Sequence, residues 1–126
     1  MDGLLVKATD LDTGRHIANN LRLCSSLPSR LRGLIGRPPP EEGGGILIAP
    51  CSSVHTFLMK YPIDILFVGG DGRVLKAVHR MKPSRATLPL WRACAAVELP
   101  AGSIGKAGCF MGHRLAFSEA GKSHAL

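Results

Sequence analysis

Two pairs of side chains in this sequence share the spacing C-x3-H: Cys51 with His55, and Cys109 with His113. Thiolate and imidazole are zinc ligands, and two such pairs could close one tetrahedral site. The spacing is looser than the C-x2-C knuckles of zinc ribbons. Residues four apart on a strand lie ~13 Å apart, so each pair needs a turn at its cysteine before it converges. The Cys51–His55 pair offers a second chemistry, a thiol made nucleophilic by a neighbouring base. No third orienting residue or oxyanion loop accompanies it. The alternative for all four residues is small buried thiols and hydrogen-bonded imidazoles.

Two carboxylates come next. Asp64 interrupts the apolar run Ile63–Val68, and Glu98 interrupts Ala95–Leu99. Facing one pocket, they could do acid–base work. Otherwise each must accept backbone N–H bonds or pair with an arginine such as Arg37, because a buried charge without a partner carries a large penalty. Asp64 is expected to be structural. The segment CSSVHTFLMKYPIDILFV, residues 51–68, holds the densest mix of apolar, aromatic and reactive side chains. A polar cluster of Arg37, His55, Thr56, Phe57, Met59, Asp64 and Glu98 is expected to line a pocket at strand ends. Gly43-Gly44-Gly45 and Gly69-Gly70-Asp71-Gly72 lack the lysine and spacing of a phosphate loop and read as turns.

These side chains need elements to hold them. Leu4–Thr9 and His16–Leu23 read as strands joined at Asp12-Thr13-Gly14, an opening hairpin. Ser25 or Ser26 can cap a short helix with Pro28 in its first turn. Leu27, Leu31, Leu34 and Ile35 would form its apolar stripe, Gly36 would end it, and Pro38-Pro39-Pro40 forbids continuation. Ile46–Ala49, Val54–Met59, Ile63–Val68, Ala95–Leu99 and Leu115–Phe117 read as further strands. Arg73–Lys82 has apolar spacing closer to a helix, but it follows a Gly-rich turn and is cut off by Pro83, so a strand is expected. Leu90-Trp91 is expected to anchor the loop 83–89 in the core. Ser103–Ala107 can make one helical turn. Residues 1–118 are expected to form one domain and 119–126 a flexible tail. The fold class expected is mainly β, a sandwich, jelly-roll-like or barrel-like sheet with one or two short helices.

The 126-residue length suits one domain able to bury a core without staples. Sixteen basic and nine acidic residues give a net charge of +7. The stretches Thr13–Pro40 and Gly72–Val97 carry arginines and lysines and no acid. They could form a basic face for an anionic partner or nucleic acid, although aromatic side chains to stack bases are nearly absent. No apolar run is long enough for a membrane span and no leader-like start is present, so a cytoplasmic protein with four free thiols is expected.

LRGLIGR (Leu31–Arg37), GILI (Gly45–Ile48), SVHTFLMKYPIDILFVGGDGRVL (Ser53–Leu75) and VELPAG (Val97–Gly102) resemble the domain-of-unknown-function 192 family, also known as uncharacterised protein family 0127. The resemblance spans about residues 5 to 117. Gly33, Leu34 and Arg37 match its Gly-Leu-Met-x-Arg element, with Ile35 in place of Met. Met59, Pro62, Ile63 and Asp64 match its aromatic-Met segment and Pro-Ile/Leu-Asp strand, with Leu58 where Trp or Gly is usual. Glu98 and Gly102 match a Leu-Glu-x-x-x-Gly turn. Gly112 matches a late Gly-Asp, where His113 stands in place of Asp. The resemblance implies a compact mainly-β domain and no settled activity. Many family members look exported, from which this chain departs.

The expectation is therefore a non-enzymatic binding or accessory module without cofactor, taking a small-molecule or protein ligand near the HTFLMKYPID segment. The alternatives are a metal- or thiol-dependent enzyme built on Cys51 and His55, with Cys109 and His113 completing any metal set, and anion or nucleic-acid binding through the basic stretches.

Overall fold

A computed structural model describes residues 2–120. β1 (Leu5–Asp10) and β2 (His16–Cys24) form the expected antiparallel hairpin, and Gly14 takes the positive φ of its turn. A short helix, α1 (Leu27–Arg32), leads through a loop to β3 (Gly44–Ile48). β4 (Ile63–Gly69) and β5 (Val74–Met81) form a second hairpin. β6 (Ala93–Pro100), α2 (Ser103–Ala107) and β7 (Leu115–Glu119) complete the chain. The seven strands make one sheet in the order β5-β4-β6-β3-β2-β1-β7. Only β2 and β3 pair in parallel among the strand pairs described.

The mainly-β single domain is as expected, and the sheet curls without closing a barrel. Its two outermost strands touch at one antiparallel bridge, Arg73 with Arg114. Val74 and Leu115, from opposite ends of the strand order, share one core cluster with Leu21, Leu66, Val97 and Leu99. That face lies inside the curl, and α2 plugs it through the fully buried Ile104. The other face packs Ile46, Ile48, Ile63, Ile65, Phe67 and Ala96 beneath Leu34, Val54 and Met59. Those last three come from segments outside the strands. Both faces of β4 are therefore covered, which explains its unbroken apolar run. Each fully buried aliphatic or Phe side chain contributes roughly 1.5–3 kcal/mol.

Four local expectations are corrected. Val54–Met59 is not a strand. Only His55 makes a bridge, to Ala86, and Leu58 takes φ 65, which breaks an extended run. Its backbone is satisfied by the 84–87 loop: Thr56 N–H donates to Arg85 O at 2.8 Å and Thr87 N–H to Val54 O at 2.9 Å. The α1 cap is Ser26, whose side chain accepts the Ser29 N–H with Pro28 in the first turn, but Gly33 rather than Gly36 ends the helix. Leu27 and Leu31 then point outward, 60% and 64% exposed, while Leu34 enters the core and Ile35 packs against it. Trp91 is 89% exposed and anchors nothing, while Leu90 is half-buried. The expected tail begins inside β7, which runs to Glu119, and positions 121–126 lie outside the described residues.

β5 explains the ambiguous spacing of Arg73–Lys82. Its register against β4 shifts twice, between Ile63 and Ile65 and between Phe67 and Val68, and Arg80 takes φ 49. Each irregularity breaks the period of two, so the strand does not read as one.

Candidate functional site

The structure divides the expected pocket residues between the two faces of the sheet. Asp64 and Glu98 lie on neighbouring strands one register step apart: Asp64 sits opposite Leu99, and Ile65 opposite Glu98. Side chains alternate along a strand, so the two carboxyls point to opposite faces.

Asp64 points into the curl and is fully buried. Its Oδ1 accepts the Arg80 N–H at 2.8 Å, and its Oδ2 accepts the Ile104 N–H at 2.9 Å. One carboxylate thus fixes the irregularity in β5 and the first turn of α2, whose N-terminal Gly102 has no side chain to cap it. This is the structural role expected from sequence.

Glu98 points to the other face and is 4% exposed. Its carboxyl forms part of a 190 Å³ cavity with Arg30, Arg32, Gly33, Cys51, His55 and Met59. At ~30 Å³ per water, that volume equals about six waters, which suits a side-chain-sized group rather than a drug-sized ligand. No hydrogen bond or ion pair to the Glu98 carboxyl is formed among the described residues. Burial alone pushes its pKa up to about 7. Two glycines let this arrangement form. Gly45, at φ 148, brings β3 against β6, where a Cβ would collide with the Glu98 carbonyl oxygen. Gly33, at φ 54, turns the chain over the carboxyl, and a Cβ there would sit 3.6 Å from Glu98 Oε1.

The other expected residues divide as follows. Met59 is buried and lines the cavity. His55 borders it but is exposed, its ring stacked on Phe57 at 5.1 Å between centroids. Phe57 itself is 49% exposed and does not line the cavity. Thr56 is a tether: its buried hydroxyl donates to Lys82 O at 2.6 Å and accepts the Arg85 N–H at 2.9 Å. Arg37 lies outside the cavity, with Nε on the Gly33 carbonyl at 3.3 Å, so it does not neutralise Glu98. A larger, shallower groove of 420 Å³ beside it is lined by Arg22, Arg37, Glu41 and Glu42 and holds no buried titratable side chain.

The two C-x3-H pairs do not meet. Cys51 packs against the core on the Glu98 face, and Cys109 belongs to the core inside the curl. Burial pushes the Cys51 thiol up, and the Glu98 charge adds to this against the Ser53 carbonyl contact, which lowers it. Cys109 and His113 instead meet Asp10, a residue the sequence reading passed over. Asp10 is fully buried, and its Oδ2 lies 2.7 Å from His113 Nδ1. The Asp10–His113 contact spans 103 positions, so no local spacing announced it. Burial pushes the Cys109 thiol up to about 12, and Asp10 adds to the shift. Burial also raises the Asp10 carboxyl, but the His113 and Asp12 hydrogen bonds outweigh it and hold it below its ordinary value.

No helix among the described residues is long and apolar enough to cross a membrane. No curated protein matches the chain. Two solved structures share its fold. A protein of unknown function from Novosphingobium aromaticivorans DSM 12444 superposes with a TM-score of 0.77 at 22% identity, over 89% of this chain and 83% of that one. A protein from Sinorhizobium meliloti 1021, which carries a provisional description as a transcription regulator, superposes with a TM-score of 0.73 at 21% identity, over 90% and 92%. The DUF192 family, described as Uncharacterized ACR, matches residues 9–117, a span that holds β2, Gly33, Gly45, the Pro-Ile-Asp strand and Glu98. The chain belongs to the DUF192 family.

Proposed function

We propose that this domain is a non-enzymatic binding module whose ligand inserts a small apolar group bearing a hydrogen-bond donor into the Glu98 cavity. One observation carries the reading: Glu98 is 4% exposed, lines a 190 Å³ space, and has no hydrogen-bond or ion-pair partner among the described residues. A carboxyl that opens only onto so small a cavity, with no protein donor, is costly to ionise, and a ligand donor would offset that cost. Met59, Ile48 and Leu34 supply the apolar wall, and Gly33 leaves the approach to the carboxyl open. The Cys51 thiol, raised by burial, supports binding over nucleophilic catalysis.

The provisional description of the S. meliloti protein makes nucleic acid the rival partner. The acid-free stretches supply charge for it. However, β2 and β5, which carry parts of those stretches, are separated by three strands in the sheet. That separation favours the cavity.

The test uses butylamine and butyramide as probes, followed by NMR on the full chain. Shift changes centred on Glu98, Met59 and Gly33, lost in Glu98→Gln, support the reading. The absence of shifts with both probes, or identical shifts in Glu98→Gln, defeats it.

A further inference from the structure

The cluster at the opposite side of the sheet from the Glu98 cavity has a different chemistry. The ligand atoms of Asp10, Cys109 and His113 all lie within 4.8 Å of one another. They come from three separate segments: the end of β1, the residue after the α2 cap, and the turn before β7. We propose that Asp10, Cys109 and His113 form a binding site for a divalent metal of the zinc class, with a water as fourth ligand.

The donor set fits such an ion. Carboxylate oxygen, thiolate sulfur and imidazole nitrogen are all zinc ligands, and three protein ligands with one open position make a common arrangement. Two anionic donors and one neutral donor balance a dication, which suits a site where Asp10 is 0% and Cys109 1% exposed. At ligand bonds of ~2.0–2.3 Å, tetrahedral donors stand about 3.3–3.8 Å apart. The 4.8 Å limit of the cluster therefore leaves at most about 1.5 Å of contraction. The 2.7 Å Asp10–His113 contact opens slightly as the ion replaces the proton between them. On binding, the Cys109 thiol proton leaves to solvent and the proton between Asp10 and His113 is displaced from Nδ1, leaving a neutral imidazole with its one proton on Nε2.

The backbone already holds the donors. Gly108, in the left-handed region, turns the chain at the end of α2 and delivers Cys109. The Phe110–His113 turn, closed by His113 N–H to Phe110 O at 3.1 Å, aims the imidazole back at Asp10. The Asp12 N–H, 2.9 Å from Asp10 Oδ1, orients the carboxylate as an outer-shell partner does. The His113 side chain is 24% exposed, which provides the entry path and the position for water.

The experiment is a cobalt(II) titration of the full, tag-free, chelator-stripped and reduced chain. The expected result is about one cobalt per chain, a thiolate-to-cobalt charge-transfer band, and displacement of cobalt by zinc. Cys109→Ser removes the band. His113→Ala, at the half-exposed position and therefore the safer variant for folding, weakens binding by more than about tenfold, a loss that even an outer-shell partner can cause. Cys51→Ser leaves both unchanged, which separates this site from the Glu98 cavity. Absence of saturable binding, a band that survives in Cys109→Ser, or a band lost in Cys51→Ser overturns the proposal.

Discussion

Asp64 and Glu98 are neighbours in the sheet and equally hidden, yet their surroundings have nothing in common. Asp64, 0% exposed, gives both oxygens to backbone N–H groups. Glu98, 4% exposed, gives its oxygens to a cavity. Burial alone does not separate a structural carboxylate from a functional one. The hydrogen-bond inventory does. Asp64 holds together an irregular strand and a short helix that lack other means of support. Glu98 holds nothing and weakens the fold whenever it ionises. A residue that costs stability and serves no contact of its own marks the place where activity is to be sought.

The contrast can be broken by substitution. Asp64→Ala removes two hydrogen bonds to a charged group, each worth about 1.5–3 kcal/mol, so a loss of ~3–6 kcal/mol is expected. At roughly 4 °C per kcal/mol for a domain of this size, the melting temperature falls by more than ~10 °C. A melt within 2 °C of the parent would show that the clamp carries no load.

Glu98→Gln should act in the opposite direction. The folded-state pKa is raised from 4.5 to about 7, so below about pH 4.5 Glu98 is neutral in both states and its ionisation costs no stability. The cost then grows as pH rises toward 7 and levels off above it. The neutral amide escapes the cost, and Glu98→Gln stabilises the protein by up to about 3 kcal/mol at pH 8, with little effect at pH 4. Urea unfolding at the two pH values reads this directly. Equal stabilities at pH 8 would mean that the carboxyl is better solvated than the cavity allows.

Thr56→Val sharpens the comparison from the cavity side. It leaves Lys82 O and Arg85 N–H without the hydroxyl that joins them, at a cost of about 1–3 kcal/mol. It should also loosen Met59, whose N–H donates to Thr56 O at 3.1 Å. Chemical denaturation checks the first effect and probe binding the second. The smallest effect belongs to Trp91→Ala. At 89% exposure the indole supports no core, and stability should stay within about 0.5 kcal/mol. A larger loss would restore the anchoring role that the sequence suggested.

The strands were legible where one local pattern decided them. The opening hairpin showed in its Asp-Thr-Gly turn, and β4 in an apolar run covered on both faces. Asp64 accepts backbone N–H groups, as a lone acid in such a run must, but it does not line the expected pocket with Glu98. Val54–Met59 misled because its apolar content belongs to the cavity roof and its hydrogen bonds go to a loop 30 positions away. Trp91 and the Leu27–Leu31 stripe misled because aromatic and leucine side chains were assumed to be interior. The pairing of Cys109 and His113 with Asp10 depends on β1 and β7 meeting in the sheet, which no spacing reveals. Glu98 was named as a pocket residue from its sequence context. That it lacks a cation could be learned only from where Arg37 turns.

The most direct measurement is the pH titration of the Glu98 side-chain carboxyl carbon by NMR in the intact chain. The account predicts a midpoint at about 7. A midpoint in the ordinary range of an exposed glutamate, about 4.3, would mean that water or a cation already serves the carboxyl, and the cavity would lose its claim as a binding site.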